Sequence, residues 1–496
     1  MYLDRGETLR GAAWAARAPT KLPGVTTRLD PVSRASLPRS TPTAEGVSAA
    51  GIDSFLDAID AEPAVVLHSL MILRRGRVVA AGWWAPYRSD DVHLLYSVSK
   101  SFTATALGFA LAEGRLALDD TVVQHFPELD PGPSAPRARA ITVEHLARMA
   151  TGHQGDTFDT MVRADPAEPV RRFLRIEPES EPGSVFAYNN GASYVLGAIL
   201  QARTGQSLTG YLQPRLFDPL GIPPPPWQTL GGPRQVGHSG LHLTTEQLAR
   251  FGQLYLEHGS WAGSQILPPD WVAEATRART ASPGEPEPDW RRGYGYQFWQ
   301  SRHGYRADGA YGQFCLVLPE QDAVVVTTGE TEMMQAVLDA AWAHLVPAFD
   351  GPSAAGDDDR LVARLAALAL PAEGAATYPA DDWVTASAVT EQPDDWALTL
   401  GAADHRLVVS CGDERWRRTS APVSDGLALA VEAQGRWTDP QTFTAELVYV
   451  HTPHRMTVAF TPRIGSSSAR WGTVPLGSRS LAGLATPVGP DQEHDR

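Results

Sequence analysis

Strand character occurs in this chain in two blocks separated by a long stretch of helical pattern, and that order constrains the fold more than any other feature. Ser69-Leu-Met-Ile-Leu-Arg-Arg-Gly-Arg-Val-Val-Ala reads as two strands joined at a glycine-containing turn. Gln313-Phe-Cys-Leu-Val-Leu-Pro and Ala323-Val-Val-Val-Thr-Thr restore the strand pattern, followed by a helix at 333–346. Between the blocks, Val98, Phe102, Ala106, Phe109 and Ala110 recur at helical spacing over Ser97 to Ala112, and Gly114 supplies a stop. His145-Leu-Ala-Arg-Met-Ala and Tyr194-Val-Leu-Gly-Ala-Ile-Leu continue the helical middle, and Thr244-Thr-Glu-Gln carries a capping box ahead of Leu248, Phe251, Leu254 and Tyr255. Strands, then helices, then strands describe an α/β (α+β) fold, in which a sheet flanked by helices takes a helical subdomain between its halves.

A chain of 496 residues exceeds one hydrophobic core and implies two or three domains. Residues 1–45 are rich in Ala, Arg, Pro, Ser and Thr without periodicity and read as a poorly structured extension. The main domain is expected over 46–350. The stretch after it, with Asp350-Gly-Pro-Ser-Ala-Ala-Gly, is a linker by composition and leads into a helix near 359–369, so 351–370 is read as linker and short helix. Over 371–485, regularly spaced runs such as Arg406-Leu-Val-Val-Ser, Phe443-Thr-Ala-Glu-Leu-Val-Tyr-Val and Arg455-Met-Thr-Val-Ala-Phe suggest a small antiparallel barrel or sandwich, with 486–496 as a tail. A net charge of −15 argues against a nucleic-acid partner, which needs a concentrated basic surface. No apolar run is long enough to span a membrane, and the charged first fifty residues show no secretory signal. With Cys315 and Cys411 far apart and read as reduced, the expected location is the cytoplasm. The oligomeric state stays open.

Only two lysines occur against 40 arginines, and one of them, Lys100, stands three residues after Ser97. Arginine does not deprotonate in a protein, whereas a lysine can lose its proton when buried or placed near another cation. Chemistry that requires a neutral amine, or a compact ammonium beside a hydroxyl, therefore explains a lysine retained here. Ser97 and Lys100 at i, i+3 share one helix face, in the Ser-x-x-Lys arrangement of serine acyl-enzymes. Lys100 either takes the Ser97 proton as a neutral amine or lowers the hydroxyl pKa as an ammonium, and the Ser97 N–H at the helix start is a free donor for an oxyanion. Phe186-Ala-Tyr-Asn-Asn-Gly places Tyr188 and Asn190 just before a helix beginning near Ala192. A tyrosine beside an ammonium is expected to have a lowered pKa and to relay a proton, while the Asn amide can hold Lys100 or a substrate carbonyl. Ala307-Asp308-Gly309-Ala310 runs into the strand at 313–318; Gly309 permits close backbone approach, and the Ala310 amide is the candidate second oxyanion donor. His153 and Asp156 either line the cleft or cap a turn. His451-Thr-Pro-His454 lacks the carboxylate or cysteine partners of a metal site and reads as structural. No Gly-x-Ser-x-Gly elbow occurs, which disfavours an α/β-hydrolase. No metal or cofactor is expected, and the expected partner is a small-molecule substrate.

Three motifs in this order, Ser97-Val-Ser-Lys100, Tyr188-Asn-Asn190 and Ala307-Asp-Gly309, resemble the serine β-lactamase and penicillin-binding-protein superfamily in its class C-like branch. The resemblance spans about residues 46–346, and Ala150-Thr-Gly-His and Leu216-Phe-Asp-Pro-Leu-Gly-Ile support it. It implies a β-lactamase-like antiparallel sheet, with Ser97 as nucleophile, Lys100 and Tyr188 as the base system and Asn190 as a polar clamp. Ala307, Asp308, Gly309 and Ala310 would then form the oxyanion and substrate-binding edge. Where β-lactamases and cell-wall peptidases open the third motif with Lys or His, this chain has Ala307, which resembles the esterase and linear-amide hydrolase members. Arg306 next to it is expected on the other face of the strand. The implied activity is hydrolysis of a small ester or amide through an acyl-enzyme. A β-lactamase or D-alanyl peptidase, or a catalytically silent penicillin-binding-like protein, is the alternative. The C-terminal unit resembles β-rich accessory domains of such hydrolases, and its role is left open.

Overall fold

A computed structural model describes residues 36–371, 378–380, 383–393, 395–402, 405–424, 426–477 and 481–487. Most of the expected N-terminal extension and the end of the tail lie outside the described residues. The first sheet contains β1 (Val66–Arg74), β2 (Arg77–Trp83), β3 (Trp299–Gln300), β4 (Tyr305–Gly309), β5 (Gln313–Leu318) and β6 (Ala323–Glu330). Its strand order is β2-β1-β6-β5-β4-β3, antiparallel throughout, so the two blocks of strand pattern do share one sheet. Arg75 and Gly76 turn the first hairpin with φ of 51° and 70°, the left-handed pair whose twist matches the strands it joins.

The helices that frame this sheet are α1 (Ala49–Asp60), α2 (Ser99–Ala112), α3 (Asn190–Thr204), α4 (Thr245–Leu256), α5 (Met334–Ala340) and α6 (Asp357–Ala366). Because helices cover both faces, β5 and β6 are buried along their whole length, and their sequences read as unbroken apolar runs rather than as alternation. Successive side chains instead alternate between two cores. Met71, Leu73, Val324 and Val326 join the core that contains α2, α3 and α4, and Leu70, Ile72 and Val325 join the one that contains α1 and α5. Each fully buried Leu or Val is worth about 1.5–3 kcal/mol by area, before the chain entropy that opposes it. Helix α4 opens with the expected capping box, since Thr244 Oγ1 accepts from the Gln247 N–H and Gln247 Oε1 accepts from the Thr244 N–H. At Gly252 a Cβ would lie 2.6 Å from Cys315 Sγ, so only glycine lets α4 lie this close to β5. Residues 36–45, expected to belong to the loose extension, are instead tied down. The Ser40 N–H donates to Val78 O, the Val78 N–H to Pro38 O and the Leu37 N–H to Glu246 Oε1. The helix expected at 333–346 is α5 continued through a wider turn at 341–345.

Helix α6 begins at an Asp357-Asp358-Asp359 run that suits a helix N-terminus, and it packs Leu361 and Leu365 into the second core. The C-terminal strands are β7 (Thr385–Gln392), β8 (Asp395–Ala402), β9 (His405–Gly412), β10 (Arg417–Ser424), β11 (Leu427–Trp437), β12 (Phe443–Tyr449), β13 (Arg455–Thr461) and β14 (Ser466–Trp471). They form one largely antiparallel sheet that curls until β7 lies against β14, around a core of its own. This sheet docks on the segment that leads into α2. Arg418 forks onto both carboxylate oxygens of Asp91 at 2.7 and 2.9 Å, Arg88 meets Glu432 at 2.8 Å, and the Leu94 N–H donates to His451 O. Buried Arg455 sits between Glu330 at the end of β6 and Glu446. No helix among the described residues is long and apolar enough to cross a membrane.

Candidate active site

Ser97 lies in a one-turn 3-10 segment, Tyr96–Val98, that runs straight into α2. One turn further on, Lys100 is 1% exposed, and its Nζ reaches Ser97 Oγ at 2.8 Å, Asn190 Oδ1 at 2.7 Å and the His238 carbonyl at 2.9 Å. Asn189 caps α3 through its side chain, so that helix begins at Asn190 rather than near Ala192, and Asn190 is held at the helix end facing α2. The Asn190 amide is oriented by its second partner. Asp156 Oδ2 only accepts, so Asn190 Nδ2 donates to it at 2.7 Å and Oδ1 is left for Lys100.

The environment of Lys100 sets its chemistry. Burial pushes its pKa down to about 7, with Asp156 and Asp308 acting in the opposite direction. A neutral lysine amine has two N–H bonds and one lone pair. The Asn190 and His238 oxygens take the two N–H bonds, which leaves the lone pair directed at Ser97 Oγ.

Tyr188 corrects the expectation of a lowered pKa. Its ring lies under Lys100 Nζ, 4.9 Å from the centroid, and stacks on Trp299 at 5.5 Å. Burial nevertheless raises the phenol above its ordinary value, Asp308 adds to this, and a hydrogen bond with Ser97 opposes it only in part. The phenol is thus held in its neutral form.

The third motif divides in two. Gly309 ends β4 so close to the Tyr96–Val98 turn that a Cβ there would lie 2.2 Å from Leu95 O and 3.1 Å from Ser97 N. Its neighbour Ala310 packs beside Leu94, Tyr96 and Tyr311. Ala307 and Asp308 face opposite sides of β4, and Asp308 stays close enough to act electrostatically on Lys100 and Tyr188. Ala307 is buried in the core that holds Cys315, and Asp308 pairs with Arg306 at 2.9 Å. Burial raises the Asp308 carboxyl although Arg306 opposes it. Arg306 is wholly buried, donates to Gln300 O and Ser301 Oγ and lies 4.4 Å over Trp290, so its charge is used internally. Glu285 is also raised, by burial and then by Asp308, so carboxylates crowd this cleft.

Asp156 lies in the cleft and also caps the turn at Phe158, while His153 bonds Thr151 and the Ile176 carbonyl and is structural. The His238 carbonyl went unpredicted, because nothing in a sequence marks which backbone oxygen meets a lysine.

The Beta-lactamase family model matches residues 52–348. A 6-aminohexanoate-dimer hydrolase of Paenarthrobacter ureafaciens is 26% identical over 282 residues, covering 52% of this chain and 71% of the relative. Penicillin-binding protein 4 of Amycolatopsis lactamdurans is 29% identical over 287 residues, 50% of this chain and 72% of the relative. Esterase EstB of Burkholderia gladioli is 29% identical over 210 residues, 36% of this chain and 53% of the relative. A solved protein from Bacillus anthracis, named after the 6-aminohexanoate-dimer hydrolases, shares the fold with a TM-score of 0.51 at 21% identity, over 64% of this chain and 89% of its own. With a family match across the whole first sheet and helices α2 to α5, the chain belongs to the β-lactamase family and is a hydrolase of that superfamily.

Proposed function

We propose that this protein hydrolyses a small ester or linear amide through an acyl-enzyme on Ser97. The observation that carries this reading is Lys100, buried, depressed to about 7 and bonded to Ser97 Oγ. Neutral Lys100 takes the Ser97 proton as Oγ attacks the substrate carbonyl carbon. The negative charge that forms on the carbonyl oxygen lies between the N–H groups of Ser97 and Ala310, worth about 3 kcal/mol per donor in comparable sites. The proton passes from Lys100 by way of the Tyr188 phenol to the departing oxygen or nitrogen, and the C–O or C–N bond breaks. Water then attacks the acyl carbon, gives its proton to the same pair, and the proton returns to Ser97 Oγ.

Substrate preference follows from charge. Arg306 is paired with Asp308, and Asp156 and Asp308 act on both Lys100 and Tyr188 while Glu285 acts on Tyr188, which disfavours a substrate that presents a carboxylate here. This weighs against β-lactams and D-alanyl peptides and toward neutral esters and amides, in keeping with the name of the similar esterase. The test is nitrophenol release from short-chain nitrophenyl esters by wild type and Ser97→Ala. Turnover lost in the variant supports the reading, and equal rates would refute Ser97 as nucleophile. Penicillin or D-Ala-D-Ala cleavage faster than ester cleavage would transfer the assignment to the alternative.

A further inference from the structure

The two residues that flank the proposed oxyanion donors are both tyrosines in the left-handed region, Tyr96 just before Ser97 with φ of 46° and Tyr311 just after Ala310 with φ of 69°. A bulky side chain in that region costs on the order of 1–3 kcal/mol, so such a conformation persists only where its surroundings enforce it. Both phenols reach the C-terminal domain. The Tyr96 O–H meets His454 Nε2 at 2.7 Å, and the Leu476 N–H donates to Tyr96 Oη at 3.4 Å. The Tyr311 O–H donates to the Val474 carbonyl. The His454 ring stands edge-on to both, with centroids 6.0 Å from Tyr96 and 5.3 Å from Tyr311, and the two tyrosines meet edge to face at 5.7 Å.

His454 is itself fixed. Its Nδ1 lies 3.1 Å from the Thr473 carbonyl, which only accepts, so Nδ1 carries the proton and Nε2 accepts from Tyr96. Its backbone N–H donates to Thr452 Oγ1, and burial holds the imidazole neutral, down to about 3. These contacts join positions 358 residues apart at the two sides of one backbone junction, where Gly309 abuts Leu95 and Ser97.

Resting on the acyl-enzyme reading above, we propose that the C-terminal β domain braces the oxyanion hole: His454 is a positioning residue that, through Tyr96 and Tyr311, holds the amides of Ser97 and Ala310 at the spacing the tetrahedral intermediate requires. The domain thereby acts on the chemical step without contacting the acyl group. Donors that drift by a fraction of an ångström still bind the planar ground-state ester, and lose their advantage in the transition state.

The test uses the full chain. Wild type, His454→Phe, Tyr96→Phe and the double variant are assayed on a nitrophenyl ester, and each is titrated with phenylboronic acid, which forms a tetrahedral adduct on a serine. Phe460→Leu, in the C-terminal core and away from the tyrosines, controls for general loosening of that domain. The expected result for His454→Phe is a kcat about tenfold to a hundredfold lower, boronate affinity weakened by a similar factor and KM within twofold. The double variant should be no worse than the more damaged single one, and His454→Gln should recover part of the loss, because its amide oxygen can accept from Tyr96. Unchanged kcat in His454→Phe, a loss confined to KM, or an equal loss in Phe460→Leu would overturn the brace and leave the hydrolase reading standing. A wild type that neither turns over esters nor binds boronate would overturn that reading, and the brace with it.

Discussion

Gly309→Ala adds one methyl group at the junction of β4 with the turn that carries Ser97, the proposed nucleophile, and its effect can be worked from distances. The new Cβ would sit 2.2 Å from Leu95 O, 3.1 Å from Ser97 N and 3.2 Å from Val98 N. A Cβ is not found within 3.0 Å of such atoms, so the backbones must part by roughly 0.8 Å. All three neighbours are backbone atoms, so no side chain can rotate away. Strand β4 is held on both sides by β3 and β5, and the Leu95 N–H is bonded to Leu241 O. The displacement therefore falls on the spacing between the Ser97 and Ala310 amides. A misplacement on the order of 1 Å costs about a hundredfold. The expected outcome is kcat on a nitrophenyl ester lowered about a hundredfold with KM little changed, while the thermal midpoint falls by only a few degrees. Wild-type kcat in a folded Gly309→Ala protein would refute the argument that this contact sets the oxyanion geometry.

Lys100→Arg keeps the positive charge and removes the deprotonable amine, so activity should fall by about 10²–10⁴-fold, measured as kcat/KM. On the proposed mechanism the working form is the neutral amine, so kcat/KM should rise with pH through about 7 and level off above it; a flat profile from pH 5 to 9 would contradict this role. At the domain seam the two partners of one ion pair should behave unequally. Arg455→Met leaves the Glu330 and Glu446 carboxylates buried together without their cation and should cost about 3–5 kcal/mol in chemical denaturation. Glu330→Gln should cost far less, because burial already pushes that carboxyl up to about 7. By the same sign, Glu330 ionises at a cost to the folded state as pH rises from its ordinary carboxylate range through about 7, so acidification across that window should not loosen the seam at this residue.

The parts of this protein that could be read in its sequence are those written locally. Ser97 and Lys100 meet because i, i+3 on a helix is a fixed geometry, and the Thr244 capping box is complete within four residues. The two strand blocks had to find each other, since each presents apolar residues on both faces. Strands β7, β10 and β14 carry no strand signal in the sequence because they are polar and half exposed, as in Ser466-Ser-Ser-Ala-Arg-Trp, and lack the apolar runs that mark their neighbours. The direction of the Tyr188 shift depends on burial under Trp299 and Tyr294, which no motif records. The motif places Ala307 and Asp308 together, whereas the alternation of the strand separates them: Ala307 is buried in the core with Cys315, and Asp308 pairs with Arg306 while acting on Lys100 and Tyr188. The contact of Tyr96 with His454 joins distant parts of the chain through side chains that are individually unremarked, and it becomes visible only when the C-terminal sheet is docked.

The most direct test of the central claim is the site of covalent acylation. Mixing the protein with a nitrophenyl phosphonate, which phosphonylates a nucleophilic serine with loss of nitrophenol, then digesting it and weighing the peptides should place a single adduct on Ser97, formed faster at pH 8 than at pH 6. A labelled residue other than Ser97, in protein that hydrolyses esters, would contradict the account.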